Sequence, residues 1–223
     1  MLEMKICNGH EDWLHARRGR IGGSDAAAVL GCNPWMTNVQ LWRYKTGKAK
    51  QKDISDKEVV KYGNNAEPLL RRLFALDFPQ YEVLYEENNI FFNSKMPWAH
   101  ASLDGWLVDK ETGRKGILEI KTSTISGATS SLKWRDRNGN DVVPQNYYIQ
   151  VLHYLMVTGF DFAILKAQIK SEWNDDLRLQ TKHYYLDRTD VEEDIKYLQE
   201  QESKFYYNYI AKDVRPNAVL PGI

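Results

Sequence analysis

Asp104, Glu119 and Lys121 are the residues whose types and spacing could do chemistry. They stand in Ser102-Leu103-Asp104-Gly105-Trp106 and, fifteen positions after Asp104, in Leu118-Glu119-Ile120-Lys121. Alternate residues of a strand share a face, so Glu119 and Lys121 point one way while Leu118 and Ile120 point into apolar packing. Two charges on one face of an otherwise buried strand are costly unless something compensates them, and a divalent cation beside the carboxylates does so. Carboxylate oxygens with water suit a hard ion such as magnesium. An ammonium beside that centre orients or helps deprotonate a water, or stabilises charge growing on a phosphate, which is the chemistry of phosphodiester hydrolysis. As bare letters the pattern arises readily by chance in a chain that is 27% charged, and the spacing alone favours solvated hairpin charges.

These residues need a hairpin to hold them. Val83 to Phe92, Ala101 to Val108 and Gly116 to Thr122 are β-rich runs, with Glu111-Thr112-Gly113 as the turn between the last two, and an antiparallel meander is the natural reading. Before them, Ser24 reads as the N-cap of a short helix running to Leu30, and Asn38 to Tyr44 as a second. From Asp56 to about Phe78 apolar residues recur with helical spacing, but Gly63 and Pro68 argue for two segments, Pro68 lying in the first turn of the second. Ser123 to Asp141 reads as a long surface loop. Pro144 then opens a helix to about Thr158 that Gly159 caps. Phe162 to Ile169 and Leu177 to Leu186 are strands, and Thr189 to Ile210 is an amphipathic helix with acids in its first turn. The expected fold is α/β, a mixed central sheet flanked by helices.

The composition sets outer bounds. At 223 residues and 43% apolar the chain can build one core, and one domain spanning 1–223 is expected. No apolar run approaches the roughly 18 residues of a membrane span, and the acidic first segment argues against a secretory signal, so no membrane partner and a cytoplasmic location are expected. Two cysteines 25 positions apart do not have the spacing of a zinc or iron–sulfur site. Thirty basic and thirty acidic residues cancel overall, yet residues 1–52 carry nine Lys or Arg against four acids. That imbalance divides the chain into a basic N-terminal lobe, 1–52, suited to gripping an anion, and a body, 53–223, that concentrates carboxylates as a metal-dependent catalytic part would. An uneven scatter of surface charge explains it as well. Trp35, Trp42 and Tyr44 could stack on unpaired bases, although core packing is the commoner fate of such residues. His153 and His100 read as hydrogen-bonded packing residues.

Glu67, in Tyr62-Gly63-Asn64-Asn65-Ala66-Glu67-Pro68, and Gln150, in Tyr147-Tyr148-Ile149-Gln150-Val151-Leu152-His153-Tyr154, make the pattern specific. With Trp13 to Leu30, Tyr62 to Phe74, Ala101 to Thr122 and Pro144 to Gly159 in this order, the chain resembles the lambda-exonuclease and YqaJ branch of the PD-(D/E)XK nucleases. The resemblance implies a restriction-endonuclease-like fold. It implies Asp104, Glu119 and the Ile120 carbonyl as ligands of Mg2+, for which Mn2+ would substitute, and Lys121 as the catalytic lysine. Glu67 and Gln150 would be further catalytic residues near the metal and the lysine. Arg17 would bind a terminal 5′-phosphate with Ser24, the adjacent Arg18 being the competing candidate. Arginine suits that role chemically, since a guanidinium meets phosphate oxygens in bidentate fashion. Two positions depart from the family pattern: Leu103 replaces the usual proline before the aspartate, and Leu152 replaces a second helix glutamine.

The implied activity is a magnesium-dependent 5′-to-3′ exonuclease acting on double-stranded DNA ends. It would leave 3′ overhangs for a single-strand annealing recombinase in phage-type homologous recombination, within a bacterial host cell. Members of this branch form rings, so a homo-oligomer, a trimer, is a family-based expectation. The alternatives are a structure-specific or restriction-type endonuclease of the same fold and a non-catalytic DNA-binding recombination module, the latter requiring a broken catalytic position.

Overall fold

The computed structural model describes residues 1–125, 132–173 and 176–219. Its frame is a five-stranded sheet built from β2 (Tyr81–Leu84), β4 (Gly105–Asp109), β5 (Lys115–Ile125), β6 (Phe162–Trp173) and β7 (Asp176–Asp187), in that spatial order. The pairs β2–β4, β4–β5 and β6–β7 are antiparallel, and β5–β6 is parallel. A parallel pair needs a crossover, and α5 (Gln145–Thr158) supplies it. The fold is therefore mixed α/β, as the sequence predicts.

The two faces of β5 decide what each helix layer sees. Leu118 and Ile120 pack with Leu107, Phe162 and Ile164 against Leu70 and Phe74 of α4 (Glu58–Asp77). Ile117 belongs to the other, larger core, where α2 (Gly23–Val29), α5 and α6 (Glu192–Phe205) meet Ala163, Leu165 and Ala167 of β6. Residues of the basic first 52 positions, among them Ile21, Ala26, Leu41 and Trp42, are part of that same core.

Several local expectations are corrected. Val83 to Phe92 is not one strand: it breaks at Asn88, whose φ is +55°, into β2 and β3 (Asn89–Asn93), and β3 leaves the sheet to pair antiparallel with β1 (Leu2–Ile6). The antiparallel order β2–β4–β5 remains as expected, with β3 as an excursion between its first two strands. Residues 58–77 form one continuous helix with Pro68 inside it. An internal proline forfeits one helix hydrogen bond and costs about 3 kcal/mol. Here the orphaned carbonyl belongs to exposed Asn64, where water can satisfy it, while Leu70 and Phe74 hold the following turns against the sheet. Ser24 is not an N-cap. Gly22 takes that position, and its amide donates to Asp25 Oδ2 at 2.9 Å. The stretch after Ser123 is not wholly a surface loop either, because β5 continues to Ile125 and Trp134 is buried against Tyr184 and Tyr147. Residues 126–131 of that stretch lie outside the described ones.

Candidate active site

Asn89, the first residue of β3, fixes the approach of Asp104. Its side-chain oxygen accepts from the Leu103 amide and its side-chain nitrogen donates to the Leu103 carbonyl, both at 2.9 Å. Leu103 stands where the family pattern has a proline, and a proline could not donate that first bond. Trp13 of α1 (His10–Arg17) adds a bond from Nε1 to Ser102 Oγ at 3.0 Å. Held this way, Asp104 reaches the neighbouring strand, and its Oδ2 accepts the Ile120 amide at 2.9 Å.

Glu119 and Lys121 share the face of β5 turned toward α5, as alternation requires. Glu119 is 1% exposed. Its Oε1 accepts from Lys121 Nζ at 2.6 Å and from Gln150 Nε2 at 2.8 Å, while its Oε2 is buried with no hydrogen-bond partner among the described residues. Gln150 Nε2 also donates to Tyr154 Oη at 2.9 Å, one helical turn on. From the opposite layer, Arg71 donates to Glu67 Oε1 at 3.0 Å and also to the Asp104 carbonyl. Asp104, Glu119, Lys121, Gln150 and Glu67 thus come together. Leu152, the other departure from the family pattern, is 3% exposed and belongs to the core.

The electrostatics of this group are unbalanced. Burial, then the Asp104 charge, pushes Glu119 up to about 8. Burial and Asp104 likewise raise Glu67, and burial raises Asp104 against the pull of Lys121. Burial alone would lower Lys121, but Glu119 and Asp104 outweigh it and raise it, so this lysine is a cation at neutral pH. Among the described residues no three His, Cys, Asp or Glu side chains converge tightly enough to cage an ion. A divalent cation would therefore draw on two carboxylates, a main-chain oxygen and water. The donor set fits one: hard oxygens, mutual carboxylate repulsion, and in Glu119 Oε2 a buried acceptor that no donor among the described residues meets.

Beside the carboxylates opens a cavity of about 340 Å³ whose wall includes Asp104, Glu67, Gln150, Arg17 and Ser24. Arg17 turns into it with its guanidinium 3.8 Å from the Trp13 ring centroid, whereas Arg18 is exposed at the C-terminus of α1. Burial works against the charge of Arg17, and Asp25 only opposes that effect at a distance. Ring stacking without an ion pair among the described residues leaves the guanidinium edge available to an anion. Gly23 is glycine for a steric reason, since a Cβ there would stand 2.4 Å from the Tyr154 ring.

The sequence reading did not include Tyr154, Arg71 or Ser102 in this group. The first two carry a signal, each lying four positions after a candidate residue, Gln150 and Glu67, on the same helix face. Trp42 is buried, whereas Trp35 is 68% exposed. His153 is a packing residue, its ring bonded to Glu202 Oε1 at 2.7 Å and to the His100 carbonyl at 2.9 Å. No helix of the described residues is long and apolar enough to cross a membrane.

The family model described as a YqaJ-like viral recombinase domain matches residues 12–161. The uncharacterized protein YqaJ of Bacillus subtilis (strain 168) is 31% identical over 170 residues, which are 74% of this chain and 49% of that protein. The chain thus spans about half the length of this curated relative. Among solved structures, the alkaline exonuclease of Laribacter hongkongensis superposes with a TM-score of 0.58 at 17% identity, covering 91% of this chain and 95% of the other. The same enzyme in complex with dAMP gives 0.60 at 16% identity, with the same coverage.

Proposed function

This chain belongs to the family of YqaJ-like viral recombinase domains, and from that membership we propose that it is a metal-dependent exonuclease acting on double-stranded DNA ends. The observation that carries the reading is the convergence of Asp104, Glu119 and Lys121, with a buried acceptor oxygen on Glu119, beside a cavity that also holds Arg17. Asp104, Glu119 and the Ile120 carbonyl would hold Mg2+ or Mn2+, which supplies Lewis-acid polarisation of the scissile phosphate and an acidified water. Lys121, cationic beside Glu119, faces the charge that develops on the phosphate oxygens. Gln150 holds Glu119 in place through one hydrogen bond and Tyr154 through another. Glu67 and Arg71 hold the Asp104 backbone from the α4 side.

Attack of water on phosphorus breaks the bond to the 3′ oxygen. That frees a nucleotide with a 3′-hydroxyl and its own 5′-phosphate, and leaves a new 5′-phosphate on the shortened strand. Arg17 and Ser24 on the cavity wall suit capture of that phosphate, which gives the reaction its 5′-to-3′ direction and leaves 3′ overhangs. The relative's complex with dAMP agrees with a mononucleotide product. The overhangs are the substrate of a single-strand annealing recombinase, placing the protein in phage-type recombination within the bacterial cytoplasm. Residues 1–52 contribute Arg17 and Ser24 and form the DNA-gripping part of a single nuclease domain, which acts as a homo-oligomeric ring, a trimer.

The test is a gel assay comparing end-labelled linear duplex with a closed circle, with magnesium and with EDTA. The linear strand is expected to disappear from its 5′ end in magnesium alone while the circle survives. Cleavage of the circle would show an endonuclease instead, and no cleavage of either would sink the enzymatic reading.

A further inference from the structure

His100 is 1% exposed, and neither ring nitrogen has a hydrogen-bond partner among the described residues. Its main chain leaves it little freedom, because the amide donates to the Ile21 carbonyl at 3.0 Å and the carbonyl accepts from His153 Nε2 at 2.9 Å. A Cβ at Gly22 would stand 2.7 Å from His100 Cε1, so a glycine is needed for the ring to lie where it does. His100 belongs to the cavity wall, with Arg17, Ser24 and Gln150. Buried side-chain polar atoms are normally paired, and two orphaned nitrogens on one immobilised ring at a cavity wall point to a ligand.

We propose that His100 is a recognition residue for the 5′-terminal phosphate, its imidazole donating a ring N–H to a phosphate oxygen that Arg17 also binds. The inference rests on the exonuclease reading for the identity of the phosphate and adds to it a second donor. Burial, with Arg17, Lys45, His153 and Arg20 nearby, holds the ring well below its ordinary value, so it enters the complex neutral. A neutral imidazole has one N–H to give and no charge to desolvate, and it complements a guanidinium that supplies the charge.

Binding measured without catalysis tests this. Two duplexes with a 3′ fluorophore, identical except for a 5′-phosphate or 5′-hydroxyl, are titrated with the protein in EDTA and followed by anisotropy. The wild type is expected to prefer the phosphorylated end by about tenfold or more, as a hydrogen bond to a charged group implies. His100→Ala should lose most of that ratio, with the weakening concentrated on the phosphorylated duplex, and inorganic phosphate should compete in the wild type but not in the variant. His100→Gln, which keeps a donor, should recover part of the ratio. Gly22→Ala, which crowds the ring without removing its nitrogens, should lower it and serves if His100→Ala does not fold. An unchanged ratio in all three variants overturns the proposal, and so does equal weakening of both duplexes or a wild type without preference. Loss of nuclease activity in magnesium leaves this ratio readable, so the two readings fail separately.

Discussion

Lys121 Nζ and Glu119 Oε1 are 2.6 Å apart, two residues along one strand and on one face of it. The pair defines what the lysine is for. Burial works against its charge, but Glu119, bonded to it, and the charge of Asp104 outweigh that and keep it protonated, so under the proposed reading it is a fixed cation facing the phosphate. Lys121→Ala is expected to abolish cleavage, by about 10²-fold or more as for loss of one transition-state donor, while DNA binding by gel shift is retained. Normal cutting by this variant would make the assigned mechanism wrong.

Carboxylate repulsion gives a signature that needs no substrate. In EDTA, Asp104→Asn should melt no lower than the wild type, because it removes a charge that burial makes costly and that in turn raises Glu119. Magnesium or manganese should raise the melting temperature of the wild type and leave those of Asp104→Asn and Glu119→Gln nearly unmoved. An equal metal-induced shift in all three proteins would place the ion elsewhere.

Two neighbouring arginines have different surroundings, one in the cavity wall and one exposed. Arg17→Ala should reduce processivity and 5′-phosphate preference more than it reduces metal binding. Arg18→Ala should behave like the wild type in the same single-turnover and processivity assays. Reversed outcomes would exchange the two roles.

His153 and Glu202 form a buried pair on α5 and α6, both 0% exposed. Nε2 donates to a backbone carbonyl and Nδ1 meets a carboxylate, an arrangement that favours the imidazolium. Burial alone would lower its pKa, but Glu202 outweighs that and raises it above the ordinary 6.5. A raised histidine stabilises fully below its unfolded value and loses the contribution as pH climbs through the folded value. His153→Ala leaves Glu202 buried and unpaired, at a cost of about 3 kcal/mol near pH 6. Chemical denaturation at pH 6 and pH 9 should show the gap between wild type and variant narrowing at the higher pH. A gap that widens would contradict the assignment.

How much of this was legible in the letters follows from the range of the forces involved. Pro144 and Gly159 mark both ends of α5 locally, one by its fixed φ and the other by its left-handed φ of +70°. Alternation along β5 puts Leu118 and Ile120 on one face and Glu119 and Lys121 on the other for the same local reason. Where local signals met a non-local competitor they failed. Pro68 sits inside α4 because sheet packing of Leu70 and Phe74 offsets the lost bond, and β3 leaves the sheet at Asn88 because β1, from the far end of the chain, offers it a partner.

The sequence by itself determined the chemistry available, the two carboxylates and the lysine, along with the helix and strand periods that carry them and the family they resemble. Only the tertiary structure decided that Gln150, 31 positions away, reaches Glu119, that Arg17 rather than Arg18 faces the cavity, and that His100 lies in its wall with both ring nitrogens unmet among the described residues. Backbone preference is set by neighbours in the chain, whereas burial and hydrogen-bond satisfaction are set by whatever packing brings alongside.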